Sequence, residues 1–432
     1  MSIGGKNPCA FFSRFPCLSA PSFRLPASTF APTASAPNSE PRSPALFPLL
    51  AFQRFRFQLL NITIAIGPSF PIPALRGGAI PRMWHSLARE FVRLGHPTTI
   101  MARAFDRQDA EETLDGIRVL RWGGFDQSRS IRRDLIKDLF YALGLARRLP
   151  DADILVTNDF WLPVVAPYRG SRVGKIVINA NRFPKKQYLM YGKAALIAAS
   201  SCAVADAIKN QCPKLVSRTK VLPNTIDPAF FPETVSPRNN TIPQILYVGR
   251  IHPEKGIHLL IEACRLLHDR GICFSCRIVG PWEDSSGGGG LEYWERLRKL
   301  SIGLPVEMAG PVFDLSQLAA AYQNADLFCY PSVAEKGEAF GLAPLEAMAS
   351  GVPAVVSQLK CFEDFIVSGT TGWFFDHRAA DAPVCLATVL ETALRDSGAR
   401  QSVGRAARET AFRFTIPVIA RQYLEAFEPL HP

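Results

Sequence analysis

Short apolar runs rich in β-branched residues alternate with longer amphipathic stretches from about residue 59 onward. The run LLNITIAIGPSF predicts a buried parallel strand that ends at Gly67 and Pro68. The stretch after it places Trp84, Leu87 and Phe91 at the three- and four-residue spacing of an amphipathic helix. Further strands are predicted at TTIMAR, GIRVLRW, ADILVTN and KIVINAN. Strands and helices that alternate in this way predict an α/β fold with a doubly wound parallel sheet.

The alternation stops at residues 228–243, PAFFPETVSPRNNTIP, and then begins again. This segment has four prolines and two asparagines and no periodicity, so we interpret it as a linker. After it, strands are predicted at QILYVGRI, CFSCRIVG, VEMAG, DLFCYPS and PAVVS, with helices between them. We therefore predict two Rossmann-like domains, residues 59–227 and 244–412, that face a cleft, followed by a C-terminal helix within 413–432 that could cross back to the first domain. Open sheets bind ligands at the carboxyl ends of their strands, so we expect the site in that cleft.

Residues 1–58 differ in composition from the rest of the chain. They are rich in proline and serine and carry six Lys or Arg residues against the single acid Glu40. Such a segment cannot build a core, and we expect a presequence or an upstream stretch read from the wrong start codon, outside the fold in either case. Removing its six basic and one acidic residues from the formal net charge of +11 leaves +6 for the folded part. That moderate charge, without a basic block or an interleaved aromatic platform, predicts no nucleic-acid partner.

The composition of the whole chain is that of a globular protein. Its 432 residues, 47% apolar and 20% charged, are enough for two domains that each bury a core. No uncharged apolar run approaches the roughly 18 residues that cross a bilayer. Ten scattered cysteines without framework spacing favour a reducing compartment. We expect a cytoplasmic protein, and leave open both peripheral contact at the inner membrane face and organelle targeting by the N-terminal extension.

Two short motifs could suggest a metal site. Cys273 and Cys276 form one C-x-x-C, but it has no second pair and lies on a predicted strand. Asp151 and Asp153 form a D-x-D in the turn before the strand ILVTN. We predict structural roles for both motifs and assign no metal.

The stretch GEAFGLAPLEAMASG predicts a ligand site at the start of a helix. Pro344 suits the first turn and Gly351 the end, so the amides near Gly341 have no partner within the helix. Free amides at the positive end of a helix dipole bind anions, and a bare glycine lets a ligand approach the backbone closely. Glu338 and Glu346 flank this point, and their carboxylates can accept hydrogen bonds from hydroxyls. An anion with hydroxyls on both sides describes a nucleotide sugar.

Cations that would match a diphosphate occur in YVGRIHPEKG. Arg250 follows a predicted strand, and Lys255 stands just before the next helix. A guanidinium fork and an ammonium that converge at the end of a strand can hold phosphate. Alone, the two residues would indicate only a solvated loop. Together with the two carboxylates they indicate a site for a nucleotide sugar.

These segments resemble the retaining glycosyltransferases of family 4, which have the two-domain GT-B architecture. YVGRIHPEKGIHLLIEA is similar to that family's Gly-Arg to Glu-Lys-Gly segment, GEAFGLAPLEAMASG to its signature of two glutamates, and VLPNTID and LRGGAI to its interdomain and glycine-rich segments. The resemblance covers roughly residue 60 to the C-terminus. It implies transfer of a sugar from a nucleoside-diphosphate sugar to an acceptor hydroxyl, with retention of anomeric configuration, without a metal and without a separate cofactor.

The resemblance also implies roles for individual residues. Arg250 and Lys255 would stabilise the diphosphate as it leaves, Glu338 would meet the sugar hydroxyls and Glu346 the ribose. Other donor contacts would come from Gly77, Gly78, Gly249, Phe340, Gly341 and Leu342.

The acceptor side departs from the family pattern. Where many members carry a histidine, KIVINANRFPKKQ offers Asn181, Arg182 and Lys185, which we assign to the acceptor side. The acceptor itself stays open among a glycan, a lipid-linked molecule and a small molecule. Residues 129–149, RSIRRDLIKDLFYALGLARRL, have six basic residues and an apolar stripe, Ile131, Leu135, Leu139 and Leu143. This helix could lie on an anionic membrane, but we favour a core-packing helix with a charged outer face.

Two other functions remain open at this point. One is a sugar-nucleotide epimerase or hydrolase of the same architecture, and the other is a catalytically idle protein that binds sugar nucleotides. A nicotinamide enzyme is disfavoured because no G-x-G-x-x-G follows the first strand of either domain.

Overall fold

The computed structural model describes residues 58–430, apart from 75–77, 129 and 236–239. The N-terminal extension predicted from composition lies outside the described residues, as does Gly77. The described residues belong to one compact unit. Its described part contains two lobes, each built on its own sheet.

The first lobe is built on an eight-stranded sheet. Its strands are β1 Ile62–Ala65, β2 Thr98–Ala102, β3 Glu111–Leu114, β4 Ile117–Arg121, β5 Ile154–Thr157, β6 Lys175–Ala180, β7 Leu196–Ala199 and β8 Thr219–Val221. They lie in the order β3-β4-β2-β1-β5-β6-β7-β8, and every pair is parallel except β3 and β4. The apolar β-branched runs form the buried central strands, because a parallel sheet is covered on both faces. The pattern missed β3, an edge strand whose residues alternate between exposed and half-buried.

Helices cover both faces of this sheet. They are α1 Ala79–Arg93, α2 Ile131–Arg148, the short α3 Leu162–Val165 and α4 Cys202–Gln211. Helix α1 buries Trp84, Leu87 and Phe91 against the strands, so the predicted amphipathic face is confirmed.

The second lobe is built on a six-stranded sheet, entirely parallel in the order β11-β10-β9-β12-β13-β14. Its strands are β9 Gln244–Val248, β10 Ser275–Val279, β11 Val306–Gly310, β12 Leu327–Tyr330, β13 Ala354–Ser357 and β14 Gly372–Phe375. Its helices are α5 Ile257–Asp269, α6 Gly290–Leu300, α7 Leu315–Asn324, α8 Leu342–Ala349, α9 Ala382–Arg395 and α10 Ser397–Ala411. The predicted α/β fold with two doubly wound sheets is confirmed.

The chain passes between the lobes twice. The Ile226 amide donates to the Phe414 carbonyl (2.9 Å), which ties the outgoing and returning segments together. The last helix, α11 Ile416–Phe427, then lies in the core of the first lobe. There Tyr423 meets the ring of Trp84 edge-on at 5.3 Å, and Phe427 lies 6.3 Å from Phe91.

Helix α2 buries the stripe that its sequence suggested only in part, since Leu135, Leu139 and Leu143 are half-buried. Its buried side includes Tyr141, Ala142 and Leu145, whereas Ile131 is 71% exposed. Phe140, on the outer side, is 69% exposed. The helix therefore does pack on the core, but its outer face is not purely charged. Residues that are four apart drift around a helix of 3.6 residues per turn, so the members of the stripe do not all lie on the buried face.

Candidate active site

Helix α8 begins at a glycine that no other residue could replace without strain. Gly341 is its N-cap residue and has a left-handed backbone (φ 85°). A Cβ at this position would lie 2.3 Å from the ring of Phe362. The amides of the first helical turn, from Leu342 onward, have no helical acceptor. From the sequence we expected Glu346 in the first turn of this helix, but it lies in the second, because α8 already begins at Leu342.

Lys255 and Glu338 form a buried ion pair at the same end of the second sheet. Lys255 Nζ lies 2.6 Å from Glu338 Oε2, and only 7% and 10% of the two side chains are exposed. Lys255 ends a 3-10 turn that follows β9, and Glu338 lies in the loop between β12 and α8. Gly256 brings the two segments together, since a Cβ there would lie 2.0 Å from the Pro331 carbonyl oxygen. The structure thus places the predicted phosphate and sugar residues in direct contact.

Arg250 is bonded to other partners than this pair. Its guanidinium donates to the Gly287 carbonyl (2.6 Å) and to Glu254 Oε1 (2.8 Å), and 45% of the side chain is exposed. Local acceptors therefore satisfy the guanidinium. Gly249, the residue before Arg250, directly follows β9, and its amide donates to the Val279 carbonyl (3.0 Å).

Glu346 is buried beside a cavity between the lobes. Tyr322 donates its phenol proton to Glu346 Oε2 (2.9 Å). Burial raises the pKa of Glu346 to about 7; the Tyr322 hydrogen bond and the charge of Arg82 oppose that rise, and Asp227 adds to it. An open cavity extends from Glu346 toward the first lobe. Its lining includes Arg82 and Ser86 of α1, Thr225 and Asp227 of the crossing segment, and Leu342 and Glu346 of α8.

Sequence reasoning missed three residues of this cavity environment. Arg82 lies one turn into α1, which starts at the predicted Gly78 (φ 104°). Tyr322 lies on α7, in a stretch of small residues that carries no signal of a site. Asp227 belongs to VLPNTID, a segment that was noted without a role. Arg82 and Asp227 could have been found from the sequence, because Arg82 follows the segment LRGGAI and Asp227 ends the segment VLPNTID.

Phe340 has a structural position. Its side chain is 4% exposed and lies 5.8 Å from the Phe365 ring and 6.0 Å from the Phe414 ring. Only its backbone is available to a ligand.

The acceptor-side candidates separate in the structure. Asn181 donates to Asn179 Oδ1, which also accepts from Trp84 Nε1 (3.2 Å). Arg182 and Lys185 are exposed on the loop after β6. Asn181 is thus anchored to the core of the first lobe, while the two cations are solvated.

Within the described part of the chain, no cluster of three or more His, Cys, Asp or Glu side chains could hold a metal ion. Of the two motifs considered above, Cys276 is buried and Cys273 is exposed, and Asp153 Oδ2 accepts from the Asn61 amide at 2.7 Å. No helix among the described residues is both long and apolar enough to cross a membrane.

Comparison with known proteins bears on the second lobe most directly. Residues 233–410 match the model of the family described as glycosyl transferases group 1. The sulfoquinovosyl transferase SQD2 of Arabidopsis thaliana is 33% identical over 175 residues, which is 40% of this chain and 30% of that protein. The chain therefore spans less than a third of that relative's length.

Solved structures resemble the chain over both lobes. The sucrose-phosphate synthase of Thermosynechococcus elongatus has a TM-score of 0.70 at 19% identity and covers 86% of this chain and 99% of its own. HepE of Anabaena, solved in complex with UDP-glucose, has a TM-score of 0.65 at 19% identity and covers 85% and 98%. At these identities the likeness shows the shared two-lobed fold. Together with the match of residues 233–410 to the family described as glycosyl transferases group 1, it confirms the resemblance to glycosyltransferases seen in the sequence.

Proposed function

We propose that this protein transfers a sugar from a nucleoside-diphosphate sugar to an acceptor hydroxyl, with retention of anomeric configuration and without a metal ion. One observation carries the proposal: the buried Lys255–Glu338 pair, the start of α8 and Glu346 lie around one end of the second sheet, and the cavity beside Leu342 and Glu346 faces the first lobe. The site therefore combines a cation and free amides for an anion with two carboxylates for hydroxyls.

The donor would bind across this group of residues. The α8 amides and Lys255 would take the diphosphate, because a helix N-terminus and an ammonium both favour negative charge. Glu346 would accept from the ribose and Glu338 from the sugar. That HepE was solved with UDP-glucose supports a donor of this class on this fold.

The chemistry would be electrostatic. As the bond between the sugar and the diphosphate breaks, negative charge grows on the leaving phosphate, where Lys255 and the end of α8 stabilise it. Arg250 would contribute after exchanging Glu254 and the Gly287 carbonyl for phosphate oxygens. The acceptor hydroxyl would attack from the face that the diphosphate leaves and give its proton to the departing phosphate oxygen, which gives retention. Gly78 and Arg82 would close over the donor from the first lobe.

A donor screen tests the proposal. A panel of nucleotide sugars is added to the protein with and without EDTA, and the shift of the melting temperature is recorded, since a ligand that binds the folded state stabilises it. The matched donor is then incubated with candidate acceptors, and the anomeric configuration of the product is read by NMR. We expect Lys255→Ala to reduce turnover by orders of magnitude. Lys220→Ala, which removes an exposed lysine on edge strand β8, serves as the matched control.

Other outcomes would favour the other functions. Release of free sugar or formation of an isomer without acceptor would indicate a hydrolase or epimerase. Donor binding without any turnover would indicate an idle binding protein. Loss of activity with EDTA, restored by a divalent ion, would contradict the metal-independent mechanism.

We also propose peripheral contact of α2 with an anionic membrane. Ile131, Ile136 and Phe140 are 71%, 59% and 69% exposed, and Arg132, Arg133 and Lys137 on the same helix supply positive charge. Exposed apolar side chains among basic ones suit the interface of an anionic bilayer. We expect flotation with vesicles that contain phosphatidylglycerol and none with pure phosphatidylcholine.

Ile136→Ala with Phe140→Ala should abolish the flotation. Phe313→Ala, which removes a side chain that is 81% exposed on the second lobe, should leave it unchanged. Equal loss in both proteins would contradict a specific surface on α2.

A further inference from the structure

The first turn of α4, in the first lobe, lies against the second lobe. Ser201 caps this helix: its Oγ accepts from the Val204 amide (3.2 Å). The same hydroxyl donates its proton to the Ala339 carbonyl (2.6 Å), which belongs to the loop before α8. Ser201 is completely buried. The Ser201 hydroxyl therefore donates a hydrogen bond to the second lobe and accepts one from its own helix.

Two more contacts seat the same end of α4. The Cys202 amide donates to Asp364 Oδ2 (2.8 Å), so a carboxylate of the second lobe lies at the positive end of a helix of the first. One turn further on, Asp206 is paired with Lys360. Ala203, between them, is part of the hydrophobic core of the second lobe. The end of α4 is thus held by apolar packing as well as by polar contacts.

The carbonyl that Ser201 holds lies between two residues with fixed side chains. Glu338, just before Ala339, is paired with Lys255. Phe340, just after it, is buried in the core. The hydrogen bond from Ser201 fixes the peptide unit between them. Removing it frees one restraint on the rotation that would swing the Glu338 carboxylate.

We propose that Ser201 is a positioning residue for Glu338: through the Ala339 carbonyl, the first lobe sets the orientation of the carboxylate that receives the sugar of the donor. The inference rests on the proposed function. It separates two parts of donor binding, because Lys255, the α8 amides and Glu346, which would hold the nucleoside diphosphate, belong to the second lobe, whereas the hydroxyl of Ser201 is bonded to the Ala339 carbonyl and the Val204 amide.

The test compares the affinity for UDP with that for UDP-glucose by calorimetry. We expect Ser201→Ala to bind UDP as tightly as the wild type does. Its affinity for UDP-glucose should fall about 5- to 10-fold, which is the effect of one neutral hydrogen bond. Ser201→Thr keeps the hydroxyl and should restore the difference. Thr219→Val is the matched control, since its buried hydroxyl donates to the Leu215 carbonyl (2.8 Å) within the first lobe only.

Hydrogen exchange provides a readout that needs no donor. Amides of residues 337–341 should exchange faster in Ser201→Ala than in the wild type, in Ser201→Thr or in Thr219→Val. Equal weakening of UDP and UDP-glucose, the same loss in Thr219→Val, or unchanged exchange in 337–341 would overturn the role of Ser201. If the proposed function fails instead, the wild type binds no nucleotide sugar while the exchange difference persists.

Discussion

Replacing Glu346 by glutamine should stabilise the ligand-free protein at neutral and alkaline pH. The Glu346 side chain is buried, 8% exposed, and its pKa is raised from the ordinary 4.5 to about 7. Burial is the main cause, because a charged carboxylate loses its hydration there. Glutamine has nearly the same shape, cannot ionise and can still accept from the Tyr322 phenol.

The sign and size follow from the two pKa values. The folded state retains the proton of Glu346 up to about pH 7, whereas the unfolded chain releases it near 4.5. Stability therefore falls as the pH rises between these two values and is flat above them. The shift from 4.5 to about 7 corresponds to about 3 kcal/mol at 1.36 kcal/mol per unit. The glutamine variant escapes this loss, so its advantage should grow to about 3 kcal/mol at pH 8.

Urea unfolding of wild type and Glu346→Gln between pH 4.5 and 8.5 measures this difference. Glu409→Gln, at an exposed position on α10, is the control and should show no such trend. The reasoning is refuted if the difference between Glu346→Gln and wild type stays constant over this range, or if the variant is the less stable protein at pH 8. A gain in stability with a loss of donor binding would show that this carboxylate is kept for function at a cost in stability.

Three further predictions follow from the same site. The affinity for a nucleoside diphosphate should rise with pH through about 7, because ribose hydroxyls bind the ionised Glu346. Calorimetry in buffers of different ionisation enthalpy should therefore detect release of a proton on binding. The Glu346→Gln variant should abolish this release. Tyr322→Phe removes the hydrogen bond that lowers the pKa of Glu346, so it should move the midpoint of that pH dependence upward; an unchanged midpoint would contradict the assignment. Lys255→Met and Glu338→Gln should each lower the free energy of unfolding, Lys255→Met by about 3 to 5 kcal/mol because it leaves a buried charge unpaired. In urea unfolding, the double variant should lose less stability than the sum of the two single losses. Strict additivity would contradict the pairing.

The fold could be predicted well because its signal is local. The runs that form β1, β5 and β6 are apolar and β-branched, and this composition distinguishes a strand of a parallel sheet from a helix. Edge strand β3 was missed because it has no apolar alternation to detect. The predicted packing of α2 on the core is present, but its most buried residues lie beside the stripe, at Tyr141, Ala142 and Leu145, because only the neighbouring elements decide between several apolar positions.

The candidate site could be predicted only in its sequence-local part. The start of α8 follows from Gly341 and Pro344, since glycine and proline have backbone preferences of their own. That Lys255 would pair with Glu338, 83 residues away, depends on how β9 and β12 lie side by side. Arg82 and Ser201 lie on the other lobe, and their relation to the site follows from the path of the chain between the lobes.

The two glutamates of the signature show how much the surroundings decide. They lie eight residues apart, at the two sides of one helix start, and in the sequence they are equivalent acids. In the structure Glu338 meets an ammonium at 2.6 Å, while Glu346 meets a phenol at 2.9 Å and little water. Burial raises the pKa of the Glu346 carboxyl to about 7, and the hydrogen bond from Tyr322 opposes that rise. The motif therefore fixes where the carboxylates lie, and the neighbouring elements determine their partners: the turn after β9 brings an ammonium to Glu338, and α7 brings a phenol to Glu346.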